Sequence, residues 1–355
     1  MTTNENLAHR LARTGLALLG LVNLLFLLAF LAALLFAADR AAAETPTACA
    51  GRSMIAEFAA QEPQTLARIE AEAGAVPNGK GLLWRIEHPG AAPSWLFGTM
   101  HMSDPRVVKL PPAAQAAFDR ADTVVIETTD ILDQATMGVA LLARPELMMF
   151  TDATTLPDLL SEEDRALVET ELARRGIPLA SVIKMKPWML SALVSLPACE
   201  LARQSTGTPV LDIRLANDAT AAGKRLKGLE SMEEQLEAMA SLPMRFHLQG
   251  LVETLRLGDR IEDVMETMVL LYLDGETGMF FPFFQAALPS ESDEEGYAAF
   301  QEAMIDVRNR TMAQGAAPLI ERGGAFIAVG ALHLAGQDGL VELLRQRGFR
   351  VEAAE

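Results

Sequence analysis

The sequence predicts a mixed α/β (α+β) fold: a central sheet from two pseudo-repeated halves, each running strand, Gly-x-x-His, helix, strand, with a large helical insertion. Three observations predict it. Short, almost wholly apolar runs sit near both ends of the folded part, Thr123-Val124-Val125-Ile126 early and Ala325-Phe326-Ile327-Ala328-Val329 late, as buried strands do. The same four-residue pattern follows a strand twice, as Gly98-Thr99-Met100-His101 and as Gly330-Ala331-Leu332-His333. Between them, over about 130–315, the apolar positions recur mainly at helical spacing.

Residues 1–44 carry the clearest local signal. Arg10 and Arg13 precede an apolar run over 15–38 that only Asn23 interrupts with a strongly polar group. As a helix it is long enough to cross a hydrocarbon layer of about 30 Å. The small residues Ala37-Ala38 and Ala41-Ala42-Ala43 also resemble a cleavage site, so an uncleaved membrane anchor and a removed signal peptide both remain open. In either case the basic flank stays cytoplasmic and the chain from about 45 onward is exported, to the periplasm or an equivalent extracytoplasmic space.

Residues 45–79 read as a linker followed by a short helical region, with Ile55, Phe58, Leu66, Ile69 and Ala73 at roughly helical spacing and Pro77-Asn78-Gly79 as the stop. The main domain is expected over 80–355. It opens with a hairpin, Leu82-Leu83-Trp84-Arg85-Ile86 and Ser94-Trp95-Leu96-Phe97 around the turn His88-Pro89-Gly90. A helix over 111–120 follows, with proline in its first turn, and then the strand that ends at Glu127. Further helices are expected over 187–204, 208–222, 232–274 and 296–314, with a short strand over 224–230 that again ends in an acid, Glu230. A strand over 325–329, a helix over 338–346 and a last strand over 349–352 close the chain.

Half of the 355 residues are hydrophobic, enough for a substantial core. A net charge of -17 with no cluster of Lys and Arg disfavours nucleic acid as a partner. The two cysteines, Cys49 and Cys199, are too few for a cysteine metal site; in an oxidising compartment they are expected to form a disulfide, the alternative being two separate buried thiols.

Only five histidines occur, and His101 and His333 occupy the same place in the same strand-to-loop context. A glycine directly after a strand lets the backbone approach a bound group closely, so Gly98 and Gly330 are secondary site candidates. Imidazole is the commonest metal ligand and the usual general base near neutral pH. Two such loops plus the strand-end carboxylate of Glu127 supply the minimum for an open three-ligand metal site. The competing reading is that both rings cap strand ends by bonding to backbone. Glu127 ends a wholly apolar strand and is expected to act as ligand or base; Glu230 ranks lower, because it equally well leads into the next helix. Arg308 and Asn309 precede the second histidine strand, where Arg308 either holds a substrate carboxylate or oxyanion or pairs with an acid. His88 and His247 lack a partner pattern, and Glu352 lies almost at the chain end.

Leu82-Leu83-Trp84-Arg85-Ile86, Leu96-Phe97-Gly98-Thr99-Met100-His101-Met102-Ser103-Asp104-Pro105 and Val329-Gly330-Ala331-Leu332-His333-Leu334 resemble the TraB/GumN family, which includes the Tiki proteases and the PrgY pheromone-shutdown proteins. Lys186-Pro187-Trp188, Gly228-Leu229-Glu230 and Val307-Arg308-Asn309-Arg310 add to the resemblance, which covers nearly all of 80–355. It implies a divalent metal, manganese or cobalt, and protease activity on peptide or protein substrates. His101, Glu127 and His333 would hold the metal or act in catalysis, with Arg308 and Asn309 supporting. The alternative function is a non-catalytic envelope protein that sequesters a peptide or assists polysaccharide export.

Overall fold

The computed structural model describes residues 49–354 apart from 134–137, 139–142 and 289–293. The expected signal or anchor in 1–44 lies outside the described residues. Among those described, no helix is long and apolar enough to cross a membrane.

Six strands form one sheet: β1 (Leu83–Glu87), β2 (Ser94–Thr99), β3 (Thr123–Ile126), β4 (Arg225–Gly228), β5 (Ala325–Gly330) and β6 (Arg350–Ala353), in the order β4-β3-β5-β2-β1-β6. Strands β4, β3, β5 and β2 run parallel, whereas β1 is antiparallel to both of its neighbours. The sheet is therefore mixed, and the expected α/β class holds.

Alternation along the strands sends side chains to two separate cores. On β5, Phe326 and Ala328 join one core with Phe97, Val124 and Ile126, covered by residues of helices Pro112–Arg120, Leu211–Ala221 and Ile261–Leu273. Ile327 and Val329 face the other, which is closed by Met312, Ala316 and Ile320 of helix Val307–Arg322 and by Leu340, Val341 and Leu344 of helix Leu340–Gln346. With both faces covered, β3 and β5 read as continuous apolar runs. A third core within the helical stretch joins Val168 and Leu172, Leu190 and Val194, and Leu251 and Leu255.

Two expected helices are broken, each with a visible cause. The helix expected over 187–204 is split into Pro187–Val194 and Ala198–Ser205 at Pro197, which lacks the N–H that continuity needs. The one expected over 296–314 contains a π-helical stretch, Gln301–Asp306, immediately before Val307–Arg322. Such a stretch locally rotates the following side chains relative to an uninterrupted α-helix. Arg308 and Asn309 are the second and third residues after it.

The two pseudo-repeated halves interleave. Strand β2 leads to β3 across the position of β5, and β5 leads to β6 across β2 and β1, so the strands carrying the two Gly-x-x-His turns become central neighbours. The closing strand of the second half ends up at the opposite edge. Its acid, Glu352, is exposed there and pairs with Arg350 rather than joining Glu127.

Candidate active site at the carboxyl ends of four parallel strands

The four parallel strands point their carboxyl ends the same way, and each delivers a polar side chain just past its last residue. In spatial order these are Glu230 after β4, Glu127 after β3, His333 after β5 and His101 after β2. A crevice at the ends of parallel strands is the place where open α/β sheets bind ligands.

Gly330 marks where three of these groups meet. A methyl group added to it would lie 3.2 Å from Glu127 Oε1, 3.6 Å from the His333 ring and 3.9 Å from His101 Nε2. Its φ of -52° is open to any residue, so what requires glycine here is space. The Gly330 N–H donates to Glu127 Oε1 at 2.7 Å. Gly98 is needed for a different close approach: a Cβ there would come within 2.7 Å of Leu334 and 3.1 Å of Ala331. Small residues thus let β2 and the second histidine turn pack against each other.

Glu127 is buried, the Glu230 side chain is 3% exposed, and the two share Arg308. Its Nη2 donates to Glu127 Oε2 at 2.7 Å and to Glu230 Oε2 at 2.8 Å, while Nε donates to Glu230 at 3.0 Å. Gln235 Nε2 donates to both acids. Of the two roles open to Arg308 from sequence, the geometry places it in the ion pair. Burial works against ionisation of Glu127, but the His333 and His101 imidazoles, the Arg308 guanidinium and the Gly330 N–H outweigh it and bring its pKa down to about 2.

Each histidine is tied at Nδ1. His333 is buried, and its Nδ1 lies 2.7 Å from Asn309 Oδ1. The Asn309 amide is in turn fixed by donating from Nδ2 to the Asp338 carbonyl at 2.8 Å. His333 Nε2 is 3.8 Å from Glu127 Oε1. Burial lowers the His333 pKa to about 4, against the pull of Glu127, so the ring is neutral at pH 7. His101 is 62% exposed at its side chain, with Nδ1 2.7 Å from Asp212 Oδ2. The Asp212 carboxylate pushes its pKa up to about 9, although solvent reaching the open ring screens that attraction. Asp212 is itself buried and accepts a second bond from Thr99 Oγ1 at 2.6 Å.

Asp212 is the residue that sequence reasoning passed over. A signal existed: in helix Leu211–Ala221 it falls beside the buried Leu211, Leu215 and Ala216, an acid on an apolar face. The remaining expected positions are structural or remote. Cys49 and Cys199 form a disulfide. His247 is buried and bonded to the Met239 carbonyl, and His88 packs edge-on against Phe349.

The donor chemistry fits a divalent cation: both histidines leave Nε2 facing away from their Nδ1 partners, and the ionised carboxylate of Glu127 has Oε1 3.8 Å from His333 Nε2. Among the described residues, no group of three His, Cys, Asp or Glu side chains is arranged to hold a metal ion.

Fold and site together define a mixed α/β protein with paired imidazoles and a buried carboxylate at its strand ends. Residues 82–353 match the TraB/PrgY/gumN family, and the chain belongs to it. Among curated proteins it is similar to metalloprotease TIKI2 of Danio rerio, with 28% identity over 76% of this chain and 60% of the relative. It is also similar to metalloprotease TIKI1 of Homo sapiens, at 25% over 77% and 61%, and to the metalloprotease TIKI homolog of Nematostella vectensis, at 22% over 78% and 67%. The chain spans about three-fifths of the length of the first of these relatives. No solved structure matches it.

Proposed function

We propose that this chain is an extracytoplasmic, divalent-metal-dependent hydrolase acting on peptides or proteins. The observation that carries the reading is the convergence of His101, Glu127 and His333 around Gly330, with both rings held at Nδ1. The names of the TIKI relatives support the peptide substrate and the metal. His101 and His333 would hold the cation through Nε2, with Glu127 Oε1 as the third donor or as the base beside it. Manganese or cobalt is the ion suggested by the family resemblance.

A cation at this position supplies polarisation of a scissile carbonyl and a more acidic water. The protein's own groups do the rest. Glu127, ionised and anchored at Oε2 by Arg308, can take a proton at Oε1 and return it to a leaving amine. His333, neutral and shielded from solvent, keeps its Nε2 lone pair available. Beside its turn a cavity of about 870 Å³, lined in part by Arg68, Thr277, Phe281, Gln285 and Leu332, provides space of the size that ligand sites occupy. Export through residues 15–38 belongs to the same proposal.

Metal analysis of the purified soluble segment beside its His101→Ala variant tests the reading. Stoichiometric metal in the parent, lost in the variant together with peptide hydrolysis, is the expected result. A folded parent that takes up no metal at millimolar manganese would instead favour the binding-protein alternative.

A further inference from the structure

We infer that Asp212, oriented by Thr99, is a positioning residue that fixes the proton of His101 on Nδ1 and so keeps Nε2 open toward the crevice. The inference deepens the hydrolase reading but rests on hydrogen-bond direction. An ionised carboxylate only accepts, so the 2.7 Å contact between Asp212 Oδ2 and His101 Nδ1 requires the hydrogen to be on Nδ1. The other oxygen, Oδ1, is engaged by the Thr99 hydroxyl at 2.6 Å. Thr99 belongs to the same Gly-x-x-His turn as His101, whereas Asp212 comes from a helix more than a hundred residues later.

His333 reaches the same tautomer by another device. Its acceptor is a neutral amide, Asn309 Oδ1, and that amide cannot turn over without giving up the bond from Nδ2 to the Asp338 carbonyl. In their neutral forms both rings therefore present an unprotonated Nε2, one behind a charge and the other behind a pinned dipole. The two locks have different weak points. An amide in place of Asp212 could offer His101 either its oxygen or its NH2, and the Thr99 hydroxyl, as a donor to Oδ1, would hold the NH2 toward His101. Facing a donor, Nδ1 must become the acceptor, the hydrogen must move to Nε2, and the nitrogen that faces the crevice is blocked.

The test uses the full chain with ¹⁵N-labelled histidine, the His101 signals being assigned by their loss in His101→Gln. In metal-free parent protein the neutral ring is expected to carry its hydrogen on Nδ1, and in Asp212→Asn on Nε2. Titration calorimetry with manganese(II) is expected to show affinity reduced by about ten- to a hundred-fold in Asp212→Asn. The double variant Thr99→Val/Asp212→Asn frees the new amide to turn, so the hydrogen is expected back on Nδ1 with part of the affinity regained. Should Asp212→Asn fail to fold, the double variant together with Thr99→Val alone, expected to retain the parent tautomer, carries the comparison. A hydrogen that stays on Nδ1 in a folded Asp212→Asn, or no rescue in the double variant, overturns the inference. A parent that binds no manganese while its His101 hydrogen moves as described refutes the hydrolase reading and leaves the lock standing.

Discussion

Arg308 balances the charge of two buried carboxylates at once. Its side chain is 11% exposed, and those of Glu127 and Glu230 are 10% and 3% exposed. Replacing it with methionine, which keeps the bulk, would leave both acids desolvated without a balancing charge, Glu230 held by Gln235 and Glu127 by Gln235 and the Gly330 N–H. Breaking a buried pair in this way costs about 3–5 kcal/mol, so Arg308→Met is expected to lower the urea midpoint sharply; a midpoint equal to the parent's would mean that Arg308 does not hold the two acids in the folded state. Gly330→Ala should behave in the opposite way. Its backbone angles suit alanine, but the new methyl would stand 3.2 Å from Glu127 Oε1 and near both rings. The expected outcome is a loss of manganese binding and peptide hydrolysis of at least about ten-fold, equivalent to about 1.4 kcal/mol, with little change in the urea midpoint. An enzyme that tolerated the methyl would place the reacting groups elsewhere.

At the level of elements, the segment from Ala198 to Asp212 grips the loop after β2. Glu200, buried in helix Ala198–Ser205, accepts from the Ser103 N–H at 2.7 Å; Leu211 N–H donates to the Met102 carbonyl; and Asp212 holds His101. The disulfide fixes this helix through the residue next to Glu200 and closes a separation of 150 residues. Reduction is expected to lower unfolding stability by about 2–5 kcal/mol, measured by urea titration with and without dithiothreitol, and the Ser103 amide should lose hydrogen-exchange protection earlier than the β5 amides. Equal loss at both places would mean that the disulfide steadies the molecule as a whole and not this loop.

The elements also show what sequence could convey. Strands β3 and β5 were legible because burial on both faces leaves an uninterrupted apolar run, and the two histidine turns were legible because their spacing repeats. Three features were not. The interleaving of the halves depends on pairing between β2 and β5, which lie more than two hundred residues apart and carry no local mark of it. The π-helical stretch before Arg308 leaves the apolar spacing too little altered to read. Asp212 looks like an ordinary helix acid until the helix is laid against the β2 loop, since its meaning comes from His101 and Thr99 and not from its neighbours in the chain.

For the molecule as a whole, the site's titrating groups set how stability varies with pH in the absence of metal. Unfolded, His333 takes up a proton near its ordinary 6.5, but folded it resists until about 4, so stability falls as pH drops from 6.5 to 4. Glu127, ordinarily at 4.5 and folded at about 2, contributes stability that is present above 4.5 and lost as pH falls toward 2. His101 works in reverse: raised from 6.5 to about 9, it contributes below 6.5 and loses that contribution as pH rises through 9, by an amount that its exposure keeps small. Thermal melting in chelator is therefore expected to be highest near pH 6.5 and to fall more steeply toward acid than toward base, and the acid limb should flatten in His333→Gln. A steeper alkaline limb would contradict this.

The strand order carries one more consequence, for the timing of synthesis. Because β5 lies between β3 and β2, the first three hundred residues supply four of the six strands but not the one that joins those two, and only one of the two imidazole turns. On the proposed function, the site is complete only once residues 325–333 have been synthesised.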